Sequence, residues 1–300
     1  MILFHSNNQI NEKSRPMTTK TFKLSCILLS CALAACSSTS NISSSSDSKL
    51  VESIKSADTS HRSQANSARD QYRNPIQTLD FFELKPEHTV VEIWPGAGWY
   101  SEIFAPLLKP RGKYYAAHFP ANSPIKYFTK NLKKYNNKLN SSAVYQNVIL
   151  TEFNPAVSAQ DAQIAPDNSA DRIFTFRNLH NWYINGGEAA AINAYKSFYK
   201  ALKPGGILGV VDHRMPEHQD QANNKSSGYI KQSLAIKWAE QAGFELVATS
   251  EINSNPNDTA DHPKGVWTLP PALRLGEQDK AKYLAIGESD RFTLKFKKPI

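Results

Sequence analysis

Apolar and polar positions follow two rhythms along this chain. Thr89-Val-Val-Glu-Ile93 is a short, β-branched apolar run of the kind that forms a buried strand. The stretch Trp99–Lys109 instead carries Ile103, Phe104, Leu107 and Leu108 on one helical face. The same change of rhythm repeats down the chain. Further strands are predicted at Lys113–His118, Val144–Thr151, Ala170–Phe176, Ile207–Asp212, Phe244–Thr249 and Arg291–Phe296. Further helices are predicted at Ile125–Leu139, Glu188–Leu202 and Tyr229–Ala242. Lys203-Pro204-Gly205-Gly206 predicts a turn that stops the Ala-rich helix. The clean alternation of the last run predicts an antiparallel edge strand. Strands separated by helices require right-handed crossovers. The expected fold is therefore α/β and doubly wound, with seven strands, mostly parallel, the last antiparallel.

The N-terminal stretch has a different pattern. Lys20 and Lys23 precede an apolar run, Leu24–Ala32, that is too short to span a bilayer and has the form of a secretory signal. It ends in Leu33-Ala34-Ala35-Cys36, which resembles the bacterial lipobox. The resemblance implies cleavage before Cys36 and lipidation of its sulfur, with Met17 as the natural start. Ser37 in place of Asp implies an outer-membrane destination, facing the periplasm. Residues 37–48 are almost entirely Ser, Thr, Asn and Asp, which cannot build a core and so read as a tether. The expected organisation is a leader over 1–35, a Ser-rich tether over 36–60 and a folded body over 61–300.

Composition narrows the function classes. All three cysteines, Cys26, Cys31 and Cys36, lie in this N-terminal region, so the body has neither disulfides nor a Cys-ligated metal. Of the formal charge of +8, the leader accounts for three, so the body is only mildly basic. No Lys/Arg stripe interleaves with aromatics, which argues against a nucleic-acid partner. His, Asp and Glu show no ligand spacing such as His-Glu-x-x-His, so no metal is expected.

Chemistry concentrates at strand ends. In Glu92-Ile93-Trp94-Pro95-Gly96-Ala97-Gly98-Trp99 a strand ends, two glycines permit a tight turn and a helix begins with its free N–H groups at the ligand edge. Arg177-Asn178-Leu179-His180-Asn181-Trp182 leaves the fourth strand at the same edge, and Asp212-His213-Arg214 ends the fifth there. His180, Asp212 and His213 are the candidate proton-handling residues, since imidazole titrates near neutrality. Loop capping by His180 and a local salt bridge at Asp212 are the plainer alternatives. Residues 215–228 are long for a loop and suggest a lid, and the 251–290 connection, with Asp261, His262, Val266 and Trp267, suggests a cover for the substrate.

These motifs resemble the class I methyltransferases, in particular predicted methyltransferases carrying W-P-G-x-G-W and R-N-x-H-N-W segments. Glu92 stands four positions before Gly96, the spacing that family uses between its first-strand acid and the middle glycine of its loop. The resemblance implies S-adenosylmethionine as cofactor, held by Glu92, Gly96 and Gly98, with Arg177 and Asn178 nearby and a small-molecule acceptor. Two departures stand out. Trp94-Pro95 replace the usual Gly-x, and His118 occupies the position at the end of the second strand where an acid usually holds the ribose hydroxyls, so His118 is the candidate cofactor-binding residue there, with one acceptor in place of two. Two readings follow: an envelope-anchored methyltransferase, or a non-catalytic envelope lipoprotein that keeps the fold as a binding module. A nicotinamide-dependent reductase is disfavoured, because Ser101 stands where a third glycine belongs.

Overall fold

The computed structural model describes Leu50, residues 52–54 and residues 60–300. Cys36, the leader and most of the tether lie outside the described residues. Among the described residues no helix is long and apolar enough to cross a membrane.

Among the described residues nine strands form in chain order: β1 Thr89–Ile93, β2 Lys113–His118, β3 Val148–Glu152, β4 Ala170–Phe176, β5 Leu202–Met215, β6 Ile230–Lys231, β7 Glu245–Ser250, β8 Pro263–Val266 and β9 Arg291–Lys297. The helices are α1 Gln64–Ser67, α2 Asp70–Arg73, α3 Pro75–Phe81, α4 Ser101–Leu108, α5 Lys126–Leu139, α6 Leu179–Ala201, α7 Gln232–Gln241 and α8 Lys280–Ile286. The sheet runs β3-β2-β1-β4-β5-β9-β7, with β6 paired to β5 off this path. Pairing is parallel from β3 through β5, and β9 is antiparallel to both β5 and β7. The mostly parallel α/β sheet with an antiparallel last strand is thus as expected. β9, however, lies between two strands rather than at the edge.

Successive side chains of a strand face opposite sides, so each central strand feeds two cores. Val91 and Ile93 of β1 and Ile173 of β4 pack with Tyr195 and Phe198 of α6 and Trp238 of α7. Val90 of β1 and Phe174 of β4 pack on the other face with Phe104 and Leu107 of α4 and Leu79 of α3. Glu92 shares the face of Val90 and is carried under α4 and α5, only 3% exposed.

Several boundaries move. The predicted helix from Glu188 begins at Leu179, with a kink at Gly187, whose φ of 66° no helix tolerates. Glycine there joins two helical pieces, and the first carries the polar exit of β4. The turn predicted at Lys203–Gly206 is a bulge inside β5: Ala170 pairs with Leu202, but Arg172 pairs with Ile207. The predicted start of the 229–242 helix is instead β6, which pairs with Arg214 and Met215. The third strand begins at Val148, because Ala143–Tyr145 form a 3-10 turn.

Candidate functional site

The parallel strands end on one edge, where a cavity of about 510 Å³ opens. Glu92, Trp94 and Gly96 reach it from the end of β1, and Arg177, Asn178, His180 and Asn181 from the end of β4. His213 enters from β5, and Trp267, Leu269 and Arg274 close it from the connection after β8. That connection covers the cavity as the sequence suggested, through Trp267 rather than through His262, which bonds Asp258 at 2.8 Å. None of residues 215–228, the segment suggested as a lid, lines the cavity.

The β1 turn holds the backbone in the left-handed region three times, at Trp94 (φ 50°), Gly96 (φ 61°) and Gly98 (φ 82°). Left-handed backbone suits glycine and strains other residues. Trp94 tolerates it because its ring is fixed by Phe119, Phe128 and Phe153, with Nε1 donating to the Phe153 carbonyl at 2.9 Å. The indole thus anchors the turn to the core instead of filling the cavity. The two glycines differ. A Cβ at Gly96 meets nothing within 4 Å, whereas one at Gly98 falls 2.9 Å from Tyr135 Cε2 and from Lys138 Cδ. Gly96 faces open space in the cavity wall, while Gly98 lies against α5 and lines no part of the cavity.

Glu92 is held by two hydroxyl groups. Ser101 Oγ donates to Oε2 at 3.0 Å, and the Tyr114 hydroxyl donates to the same oxygen. Oε1 has no hydrogen-bond partner among the described residues. Burial pushes the Glu92 carboxyl up to about 7, against the opposing pull of Tyr114, Ser101, Arg177 and Lys138.

His118 departs from its expected role. Phe119 N–H donates to its Nδ1 at 2.8 Å, which places the ring proton on Nε2, and Nε2 then donates to the Gly96 carbonyl at 2.8 Å. Both nitrogens are committed to backbone, and burial lowers the imidazole pKa to about 4. His118 lines no part of the cavity and offers nothing to a ribose; it braces the glycine turn from behind.

The β4 exit is built differently. Arg177 takes φ 62°, its N–H bonded to the Val211 carbonyl at 2.7 Å. Asn178 ties this exit to β1 by donating to the Ile93 carbonyl at 2.8 Å. The fully buried Asp212 accepts from His180 Nδ1 at 2.8 Å and from the His180 backbone N–H at 3.1 Å. It also accepts from the His213 N–H at 2.7 Å. Thus Asp212 does not line the cavity but fixes His180, which does. With Nδ1–H directed at a carboxylate, the His180 lone pair lies on Nε2. His213 stands 5.0 Å from His180 between ring centroids, its Nδ1 at 2.5 Å from Ser289 Oγ. Burial, the neighbouring His180 and the arginines Arg291, Arg177 and Arg73 push its pKa well below the usual value.

His180, Asp212 and His213 each offer a metal-ligand atom within 4.8 Å of the others, a grouping the sequence spacing did not reveal. Three N–H donors already occupy the Asp212 oxygens, so the carboxylate serves as an orienting acceptor.

The strand order and the glycine turn at the end of β1 decide the fold. It is the Rossmann-like methyltransferase fold. A putative sarcosine dimethylglycine methyltransferase from Galdieria sulphuraria is 12% identical and superposes with a TM-score of 0.54, covering 85% of this chain and 98% of that one. The [4+2]-cyclase SpnF is 16% identical, with a TM-score of 0.52 over 76% of this chain and 81% of its own. A SAM-dependent methyltransferase from Aquifex aeolicus is 16% identical, covering 83% and 97% of the two chains with a TM-score of 0.49. No protein-family description and no curated protein matches the chain. At these identities the likeness to the Galdieria protein and to the cyclase establishes the fold alone, and the cyclase is a reminder that the fold carries more than one chemistry.

Sequence reasoning missed part of the wall. Asn66, Arg69 and Arg73 come from the N-terminal helices, and Tyr127, Phe128 and Asn131 from α5. The one available signal was the four-residue spacing of Arg69 and Arg73, which places both on one side of a helical turn.

Proposed function

We propose that the protein is an S-adenosylmethionine-dependent methyltransferase acting on a small-molecule acceptor. The supporting observation is that one cavity brings together the open Gly96 turn, the unpartnered Glu92 oxygen and a histidine oriented by a buried carboxylate.

The residues present fit the cofactor. Gly96 lets a ligand approach the backbone closely. Phe119 and Phe128, stacked 4.2 Å apart between centroids, give a planar wall for a purine. Asn131, whose Nδ2 bonds the Tyr127 carbonyl at 2.7 Å, keeps its Oδ1 available for a ribose hydroxyl, a task His118 cannot perform. When bound, S-adenosylmethionine supplies an electrophilic methyl group on a sulfonium. The chain's contribution is alignment and proton removal. Asp212 holds the Nδ1 proton of His180 and fixes the ring, so that Nε2 takes the acceptor's proton. His213, kept neutral by its surroundings, borders the acceptor without adding charge.

The reading includes anchoring of the chain in the cell envelope through lipidated Cys36, supported by the lipobox-like Leu33–Cys36 segment. Replacement Cys36→Ser is expected to release the protein from membranes, and undiminished retention counts against the anchor.

The decisive experiment is calorimetric titration of the full-length protein with S-adenosylmethionine and S-adenosylhomocysteine. Micromolar binding that disappears in Gly96→Arg supports the assignment. No binding by folded protein at millimolar ligand overturns it and leaves the non-catalytic binding module.

A further inference from the structure

The cavity wall carries an excess of positive charge, partly buried, that the proposed methyl transfer does not use. Arg69, Arg73 and Arg177 all line the cavity, and Arg291 lies beside them. One carboxylate serves this group. Glu288 meets Arg69 Nε at 2.6 Å, Arg73 Nε at 3.4 Å and Arg291 Nη2 at 3.3 Å. The neighbouring Asp290 is held by Arg214 at 2.7 Å. Arg177 has no ion pair among the described residues.

The guanidinium groups are also short of acceptors. Arg73 is 2% exposed, and its Nη1 is buried with no hydrogen-bond partner; Arg69 Nη2 is likewise buried and unpaired. The Trp99 ring lies 4.5 Å from Arg73 Cζ, which offers an aromatic face but no lone pair. Buried charged donors without acceptors are costly, and an anionic ligand in the cavity would supply the acceptors these two lack. The titration behaviour agrees. Against the upward push of burial, Arg73, Arg291, Arg177 and Arg69 hold the Glu288 carboxyl at about 2. Burial and the neighbouring arginines pull Arg177 down to about 10, against Glu288.

We propose that Arg69, Arg73 and Arg177 form a subsite for an anionic group, a carboxylate or phosphate, on the methyl acceptor. The word acceptor rests on the methyltransferase reading; the anion site does not. Position favours the acceptor over the amino-acid carboxylate of the cofactor, because Arg177 lines the cavity three positions before His180 on the same strand exit, and Arg177 and Arg73 both act on His213, whose ring stands 5.0 Å from that of His180. A planar guanidinium pairs with carboxylate or phosphate through two parallel hydrogen bonds, and three such groups on one cavity wall select for charge. Trp267, with Arg274 4.5 Å from its ring, and Tyr100, stacked 3.6 Å from Phe176, add flat apolar surface, so an acid attached to a planar apolar body fits best.

The test uses the full-length protein with benzoate and inorganic phosphate as anionic probes and benzamide as the uncharged match for benzoate. Calorimetry is expected to show an anion binding while benzamide does not. Arg177 has no side-chain hydrogen-bond partner among the described residues, and Arg177→Met is expected to weaken anion binding about tenfold or more. Arg73→Met should do the same, with Arg73→Lys retaining part of the affinity. Equal binding of benzoate and benzamide, binding of no anion, or unchanged affinity in folded Arg177→Met overturns the proposal.

The source of the anion is separated by competition. If benzoate affinity survives saturation with S-adenosylhomocysteine, the subsite belongs to the acceptor. If S-adenosylhomocysteine abolishes it while 5′-methylthioadenosine, which lacks the carboxylate, does not, the arginines serve the cofactor and the acceptor assignment falls. Should the protein bind no S-adenosylhomocysteine yet lose anion binding in Arg177→Met, the anion site stands and the methyl-transfer reading alone fails.

Discussion

Two histidines stand at the ligand edge of the same sheet, one at the end of β2 and one just beyond β4. His118 gives both ring nitrogens to backbone groups, those of Gly96 and Phe119, and its pKa sinks to about 4. His180 gives one nitrogen to the buried Asp212 and turns the other toward the cavity wall it lines. The residue type is the same and the strand position is nearly equivalent. The partners differ, and they decide whether an imidazole braces a turn or handles a proton. A histidine bonded only to the main chain has no basic lone pair left, whereas one oriented by a carboxylate keeps it.

The largest effect that separates them is on rate. His180→Ala is expected to lower methyl transfer by about 10²- to 10⁴-fold, the usual contribution of a positioned base, with S-adenosylhomocysteine affinity nearly unchanged. His118→Gln is expected to act through KM and stability instead, since the residue lies behind the glycine turn. The readout is S-adenosylhomocysteine release with a competent acceptor, resolved into kcat and KM. If the two variants lose kcat alike, the division of roles is wrong.

A smaller contrast appears in stability against pH, where Glu92 and His118 act in opposite directions. The Glu92 carboxyl rests at about 7 in the fold against an ordinary 4.5, because it is buried. The folded state therefore holds that proton more tightly, and stability from this group falls as pH rises from 4.5 to 7, by about 3 kcal/mol. His118 rests at about 4 against 6.5, again because of burial, so the fold resists its protonation. Its contribution is fully present above pH 6.5 and is lost as pH falls toward 4, also by about 3 kcal/mol. Urea unfolding from pH 4 to 8 checks both. Wild type minus Glu92→Gln should decline across the upper window, and wild type minus His118→Gln should rise across the lower one. Parallel curves would mean that neither group is held as the structure shows.

The sequence made one half of this site readable and concealed the other, for physical reasons. The change from two-residue to helical rhythm located the strands, and their polar ends pointed to Glu92, Gly96, Arg177 and His180, all of which line the cavity. Each of these lies within a few residues of a strand end, so local pattern suffices. His118 was misread because its bonds run to backbone atoms of Gly96 and Phe119, which no side-chain pattern encodes. The link between Asp212 and His180 spans 32 positions, and the arginine wall joins Arg73 to residues more than 200 positions away. Such contacts arise from crossovers and sheet order, and nothing in the local spacing announces them. The segment Lys203–Gly206 stops the Ala-rich helix, which ends at Ala201, but the Pro-Gly-Gly turn expected there is absorbed as a bulge between paired strands.

The smallest contrast lies inside the glycine turn and follows the same division between wall and brace. Gly96 and Gly98 both have positive φ, so alanine at either position carries the left-handed penalty of roughly 1 kcal/mol. At Gly98 the new Cβ also falls 2.9 Å from a ring carbon of Tyr135, which is fully buried and cannot retreat as Lys138 can. Overpacking of this kind adds about 1 kcal/mol or more. Gly98→Ala is therefore expected to lower the thermal midpoint further than Gly96→Ala while leaving cofactor affinity within about twofold of wild type, by the usual independence of sites that share no partner. Gly96→Ala should show the reverse, a mild loss of stability and a clear loss of S-adenosylmethionine affinity, because its methyl group projects into the cavity wall. Paired melting and calorimetry on the two variants decide the matter. Equal losses of affinity would mean that the ligand reaches past Gly96 to the α5 side of the turn, where the structure leaves no room for it.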